Sequence, residues 1–248
     1  MRVAFHHIAY QPLSVCNALS IDRLEATMRR AGPPSGAAIM DIGCAYGEVS
    51  IHLARAFDAR VTAVELDPVM AAGAEERIQT AGLSGRIQVR RETSAAALAA
   101  LPAFDLILAI GSTEPAGKGL REPADVFAAL AAHLTPGGAL IWGDLFWKAE
   151  PPAPLRQLVE TGGYYVSHEA WQAAARTAGL TVVTAEISDG DEWAVYRTTM
   201  ETAITDWLDG HPDHPDAPGV AATAHRIKMM FDFGADYLGF GLYLFRKG

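Results

Sequence analysis

The amino-acid sequence predicts a doubly wound α/β protein, and three observations carry that prediction. From residue 37 onward, short runs rich in Val, Ile and Leu alternate with alanine-rich stretches of helical period, the pattern of a parallel sheet wrapped by helices. One of those strands ends in an acid followed by a glycine-rich turn and a helix, Asp41-Ile-Gly43-Cys44-Ala45-Tyr46-Gly47-Glu48. Three segments, residues 1–36, 144–167 and 188–236, fall outside the alternation. The second and third leave the carboxyl ends of strands, the edge at which open α/β sheets bind ligands.

In order along the chain, an amphipathic helix is predicted over 13–31, stopped by Gly32-Pro33-Pro34. Strands follow at 37–42, 60–66, 86–90, 104–110, 139–142, 181–187 and 237–245, with helices at 47–57, 68–82, 122–134 and 168–178 between them. The helix over 122–134 ends at the turn Thr135-Pro136-Gly137-Gly138. Inside the last extra segment, helical patterns at 192–209 and 220–233 flank a loop, 211–218, with three prolines, which predicts a lid. The chain is thus expected to form an N-terminal helical cap, 1–36, and one domain, 37–248, with insertions at about 144–167 and 188–236 over the site.

Of 248 residues, 50% are hydrophobic and 20% charged, with 29 acidic against 20 basic side chains and a formal net charge of -9. That apolar content excludes a disordered chain, and no repeat or cysteine framework marks a collagen, a coiled coil or a disulfide scaffold. Only Cys16 and Cys44 occur, without an apolar run of membrane-spanning length or a signal-like start, so a cytoplasmic protein with no membrane partner is expected. An acidic chain gains little from counterion release on a polyanion. The expected partner is a small-molecule substrate, not nucleic acid, and the expected state a monomer or homodimer.

The glycine turn makes a nicotinamide-dependent oxidoreductase the least favoured of the α/β alternatives. That fingerprint needs glycines at positions one, three and six, and counting from Gly43 the chain has Ala45 and Glu48 at the last two. A carboxylate at Asp41 repels a pyrophosphate and holds a cationic ligand. A second strand, Val61-Thr-Ala-Val-Glu65-Leu66-Asp67-Pro68, also ends in an acid, roughly 20 residues beyond the turn, where a carboxylate can accept from both hydroxyls of a ribose.

In these residues the chain resembles the class I S-adenosylmethionine-dependent methyltransferases of small-molecule type, whose first motif, Asp-x-Gly-x-Gly-x-Gly, stands here as Asp41, Gly43, Ala45 and Gly47. The resemblance implies a Rossmann-like seven-stranded sheet, six strands parallel and the last antiparallel, with S-adenosyl-L-methionine as cofactor and S-adenosyl-L-homocysteine as product. It implies donor contacts from Asp41, Gly43, Cys44, Ala45 and Gly47 in the turn, and from Glu65 on the ribose with Leu66 and Asp67 beside it. Glu92 and Thr93 then follow the third strand, where the family's acid accepts from the adenine amino group, and Ile110, Gly111 and Ser112 follow the fourth, beside the methyl donor. Leu134-Thr-Pro-Gly-Gly138 is similar to the turn before strand five, and residues 237–246 to the closing antiparallel strand. A narrower likeness is to methyltransferases with Ile-Gly-Ser-Thr-His after strand four and Gly-Glu-x-x-Trp after strand five. Here Glu114 stands for the histidine, and Gly143-Asp144-Leu-Phe-Trp147 for the second segment.

Methyl transfer is an in-line displacement in which positioning dominates, and the protein adds a base and a dry pocket. Glu114 and Asp144 are the candidate bases. Tyr10, Trp147, Tyr164, Trp193 and Tyr196, with Glu114, are the expected substrate contacts, drawn from an aromatic cluster in the extra segments that also holds Phe146, Tyr165 and Trp207. His6-His7 and His211-Pro-Asp-His214 lack a metal-ligand spacing, so no metal is expected. Asp189, Asp191, Glu192, Asp206, Asp209, Asp213 and Asp216 read as solvated lid surface. The expected function is methylation of an oxygen or nitrogen on a small metabolite or natural product. The alternatives are an RNA or protein methyltransferase and a non-catalytic S-adenosylmethionine-binding regulatory protein.

Overall fold

Successive side chains of each strand fall on opposite faces of one sheet, and helices cover both. The computed structural model describes residues 2–161 and 163–248. Its elements in chain order are α1 (Phe5–Ala9), α2 (Ile21–Ala31), β1 (Ala38–Ile42), α3 (Glu48–Phe57), β2 (Arg60–Val64), α4 (Pro68–Thr80), β3 (Ile87–Arg90), α5 (Ser94–Ala100), β4 (Phe104–Ile110), α6 (Pro123–Ala132), β5 (Leu134–Trp147), α7 (Ala153–Val159), α8 (His168–Thr177), β6 (Leu180–Ile187), α9 (Gly190–Gly210), α10 (Ala217–Gly234) and β7 (Leu238–Lys247). The sheet order is β3-β2-β1-β4-β5-β7-β6; β7 is antiparallel to both its neighbours and the other six strands are parallel, as expected. Ile39, Leu106, Leu108 and Ile141 join α2 and α3 in one core, while Met40, Ile107, Leu140 and Trp142 join α6 and α8 in the other. Between β1 and β4 the connections leave in opposite directions, which opens a crevice above their carboxyl ends.

Several boundaries differ from expectation; the residues expected as the turn Thr135 to Gly138, for one, already belong to β5, which starts at Leu134 beside Phe104. The helix predicted over 13–31 starts at Ile21, because Ser20 caps it, its Oγ accepting from the Arg23 N–H at 3.3 Å. β5 runs to Trp147, well beyond residue 142, because β7 supplies partners out to the Trp147–Leu238 pair. Residues 144–147 are therefore strand, and the excursion over the site begins after them. Three short helices, α1, α5 and α7, escaped the sequence reading; five to seven residues carry too little periodicity to separate from loop.

Above the crevice, α1 packs on α9 and α10, and α7 on α10. The cap is tied to the sheet layer at one corner. Glu192 is buried and accepts from the N–H and Oγ of Ser20 at 2.9 and 2.7 Å and from Arg23 Nε at 2.9 Å, while also completing the capping box of α9 with Asp189. This corrects its reading as a solvated lid acid: the helix start needs the carboxylate, and Arg23 compensates its burial. Asp216, likewise, accepts from the Val3 N–H at 2.7 Å.

Candidate functional site

β1 delivers Asp41 and Ile42 to the crevice, and the chain then turns through Gly43, Ala45 and Gly47 at φ of 74°, 50° and 82°. Gly43 admits no side chain, since a Cβ there would stand 2.6 Å from Ser112 Oγ. That hydroxyl donates to Ile42 O at 2.7 Å, tying the turn after β1 to the loop after β4. Ala45 keeps its left-handed backbone despite a Cβ, at roughly 1–2 kcal/mol. Its N–H donates to Glu65 Oε2 at 3.0 Å, and the Asp67 N–H donates to Glu65 Oε1 at 2.8 Å. Both oxygens of the acid at the tip of β2 are thereby oriented.

Asp41 is buried, with Ser50 Oγ donating to it at 2.6 Å. Burial pushes its carboxyl up to about 6, the Ser50 bond opposes the rise, and the nearby Glu65 adds to it. Among the described residues no basic side chain pairs with it, so a bound cation is the species that would relieve its ionised form. Cys44 is buried beside it, and burial holds its thiol well above the ordinary range, which leaves it an inert small side chain. Leu66 stands 67% exposed past β2. Glu92 is ion-paired with Arg90, and Thr93 caps α5 through the Ala96 N–H at 3.2 Å.

A strap formed by the N-terminal residues crosses this donor turn. Asp67 caps α4 with Oδ1, accepting from Val69 and Met70 N–H at 2.8 and 3.1 Å. Its Oδ2 faces His6 Nε2 and His7 Nε2 at 3.1 and 3.0 Å. Burial alone would raise this carboxyl, but the bonds from His7, His6 and the two backbone amides hold it well below the usual range. The carboxylate that local spacing denied the two histidines is thus supplied by α4, and the three groups lie within 4.8 Å of one another. His7 Nδ1 accepts the Ala4 N–H at 3.1 Å, which places the ring proton on Nε2 as a donor to Asp67. Tyr46 Oη donates to His7 O at 2.7 Å and Arg77 to Gln11 O at 2.6 Å. Further on, Leu13, Cys16 and Asn17 cover Asp41 and Gly43 around a cavity of about 30 Å³. Asn17 also lies over Gly111, where a Cβ would meet its Nδ2 at 2.5 Å.

Beyond Gly111 two cavities share Thr113, Asp144, Thr161 and Tyr165 as walls. The larger, about 280 Å³, extends under the cap and is lined by Tyr10, Trp193 and Tyr196. The smaller, about 120 Å³, takes in Glu114, Trp142 and Tyr164. Asp144 faces both. Its Oδ1 accepts the N–H of Leu145 at 2.8 Å, the sole hydrogen bond to its side chain among the described residues, and burial pushes the carboxyl up to about 7 against that one bond. The residue keeps partial exposure because it opens on the two cavities.

The expected site residues therefore separate. The turn, Glu65, Asp67 and the loop Ile110 to Ser112 converge on the crevice, and Tyr10, Trp193 and Tyr196 line the larger cavity with Asp144. Glu114 is exposed at the edge of the smaller one, as is Tyr164 at 42%. Trp147 is elsewhere: as the last residue of β5 it packs with Leu155, Val159 and Leu238 beneath Arg156, 5.4 Å from its ring. The residues that sequence reasoning did not select are Tyr165, Thr113 and Asn17, which line the larger cavity from three separate segments. Tyr165 carried a signal as part of the aromatic cluster and Thr113 as the threonine that follows Ile110-Gly-Ser; Asn17 carried none.

The family described as "Methyltransferase domain" matches residues 39–138, the stretch that contains the donor turn and its partners. The chain is 24% identical to the uncharacterized protein YjhP of Escherichia coli (strain K12) over 84% of each chain, and the X-ray structure of YjhP superposes with a TM-score of 0.82, 21% identity and coverage of 98% and 99%. A crystal structure of an S-adenosylmethionine-dependent methyltransferase from Thiobacillus denitrificans, in complex with S-adenosyl-L-homocysteine, superposes over 100% of both chains with a TM-score of 0.84 at 22% identity. A ubiquinone biosynthesis O-methyltransferase of Xylella fastidiosa (strain 9a5c) is 35% identical over 54% of this chain and 50% of that one. An acid-tipped β1 and a glycine turn locked to the β4 loop thus lie inside a stretch that matches a methyltransferase domain, and the whole chain shares its Rossmann-like fold with S-adenosylmethionine-dependent methyltransferases.

Proposed function

We propose that the protein transfers the methyl group of S-adenosyl-L-methionine to an oxygen or nitrogen of a small metabolite or natural product held under the cap, with Asp144 as the base. The observation that carries this reading is Asp144 itself, a carboxylate with one backbone partner, no cation beside it among the described residues, and a place on both cavities. A group of this kind poised near neutrality is suited to accept a proton. The donor side fits the cofactor: Asp41 is a buried acid with no basic partner among the described residues, and Glu65 presents oriented oxygens. Bound S-adenosyl-L-methionine supplies an electrophilic methyl group on a sulfonium centre.

The chain's residues supply the rest. Asp41 and Glu65 bind and orient the donor, and Tyr10, Tyr165, Trp193 and Tyr196 enclose the acceptor and exclude water. Asp144 Oδ2 takes the acceptor's proton. Glu114 is exposed at the rim and lines only the smaller cavity, which leaves it a poorer place than Asp144 from which to reach an enclosed acceptor. The oxygen-directed activity in the name of the Xylella relative supports an oxygen acceptor. The test is a screen of small-molecule extracts for release of S-adenosyl-L-homocysteine, with mass spectrometry of the compound that gains a methyl group. Release from protein-free extract establishes the function, and no release from any extract would sink it.

A further inference from the structure

We infer that the methyl acceptor carries a long hydrocarbon tail, which lies in the groove between α9 and α10 while its nucleophilic head sits at Asp144. This deepens the reading above and rests on it for the position of the head. Helices α9 and α10 follow one another across the loop 211–216 and pack side by side. Their apolar residues recur at helical spacing, Met200, Ile204 and Leu208 on one, Ala224, Ile227 and Phe231 on the other. Facing stripes of this kind usually interdigitate at interaxial distances of about 8–10 Å. Here a cavity of about 330 Å³ remains between them, beside the small side chains Ala221 and Ala224. The groove opens to solvent past the exposed Glu201, Ala221 and Lys228, and its apolar floor of Met200, Ile204 and Phe231 offers an apolar ligand surface to bury.

Two further observations select the occupant. The charged groups along the groove are engaged with one another: Asp232 holds both Arg197 and Lys228, so neither cation is left to recruit an anionic ligand. In addition, Phe5, Met200, Ile227 and Phe231 line both this groove and the larger acceptor cavity, so a single layer of apolar side chains separates the two. Rotation of Phe5 or Phe231 within that layer would join them into one path from the outer face of the cap to Asp144. A molecule whose head is methylated in the cavity and whose tail is hydrocarbon matches that path; a wholly polar acceptor leaves the groove without purpose.

The experiment measures binding of para-alkylphenols, from methyl to decyl, to the full chain in the presence of S-adenosyl-L-homocysteine by calorimetry. Affinity is expected to rise roughly fourfold for each methylene taken up by the groove, then to level off. Ala224→Phe and, independently, Ala221→Trp fill the groove and should abolish the rise while leaving methylphenol binding and the thermal unfolding midpoint unchanged. The proposal is overturned if decylphenol binds no better than methylphenol, if no phenol binds, or if the rise survives in both filled variants. A rise that is intact while Asp144→Asn retains full methyl transfer overturns only the base assignment.

Discussion

The donor crevice and the acceptor cavity lie on either side of Gly111, and they are built by different means. The crevice is made of backbone: three positive-φ residues in one turn, amide groups aimed at Glu65, and a hydroxyl that locks the turn to the next loop. The cavity is made of side chains from four stretches far apart in sequence, residues 5–18, 111–165, 193–200 and 226–240. A backbone-built site tolerates few substitutions and stays the same for one invariant ligand. A side-chain-built site can be refitted without disturbing the sheet, which suits a donor that is fixed and an acceptor that varies.

That contrast is most severely tested at Asp144. Replacement by Asn should lower turnover by about 10²-fold or more while donor affinity holds. Because the native carboxyl lies near 7, above its ordinary value, the base form predominates only at higher pH. Turnover should therefore rise as pH increases through about 7, and initial-rate measurements should show that limb vanish in the variant. Wild-type turnover in Asp144→Asn would remove the base.

A smaller effect is expected on the donor side. Glu65→Ala deletes the acceptor for Ala45 and Asp67 N–H as well as the ribose carboxylate. Calorimetry with S-adenosyl-L-homocysteine should show affinity weakened by about 10–100-fold, the range for charge-assisted hydrogen bonds. Turnover at saturating donor should barely change. A large fall in turnover with unchanged donor affinity would erase the division between the two regions.

Asp41 sharpens the same division through pH. Its native carboxyl lies near 6, above the ordinary 3.8 of an aspartate, so folding takes up a proton in between. The stability this group contributes is fully present below about 4 and is lost as pH rises through about 6. A cationic donor acts in the opposite sense, because it binds the ionised form. Donor affinity should fall by up to about tenfold per unit as pH drops below about 6, and Asp41→Asn should flatten the dependence. A wild-type affinity that is independent of pH from 5 to 8 would remove Asp41 as the cation's partner.

The smallest effect belongs to Ala45. A glycine there relieves the left-handed strain but adds freedom to the unfolded chain, so Ala45→Gly should stabilise by at most about 1 kcal/mol in thermal or denaturant unfolding. Destabilisation instead would mean that the methyl's packing against Tyr46 and Met70 outweighs the strain.

Legibility follows the same line. The Asp41 to Gly47 turn, Glu65 and the seven strands could be read because each is a local pattern: a period, a tight turn, an acid at a strand tip. Asp144 was visible as an acid after a strand, but its position was misplaced, since the extension of β5 depends on hydrogen bonds from β7, about a hundred residues later. Trp147 was drawn to the pocket by its aromatic type, and the same extension sends it to a satellite core. Glu192 looked like one more acid on a polar helix; its burial comes from Ser20 and Arg23, and no local window contains all three.

By itself, then, the sequence determined the sheet, the switch point and the donor turn, because strand period, glycine spacing and acid placement are properties of a few consecutive residues. Only the tertiary structure decided which acid faces the cavity under the cap, that His6 and His7 share the carboxylate of Asp67, and that α9 and α10 leave a hollow between apolar stripes. The physical reason is that burial, and with it the protonation of Asp144 and the pairing of Glu192, depends on groups brought together from remote parts of the chain.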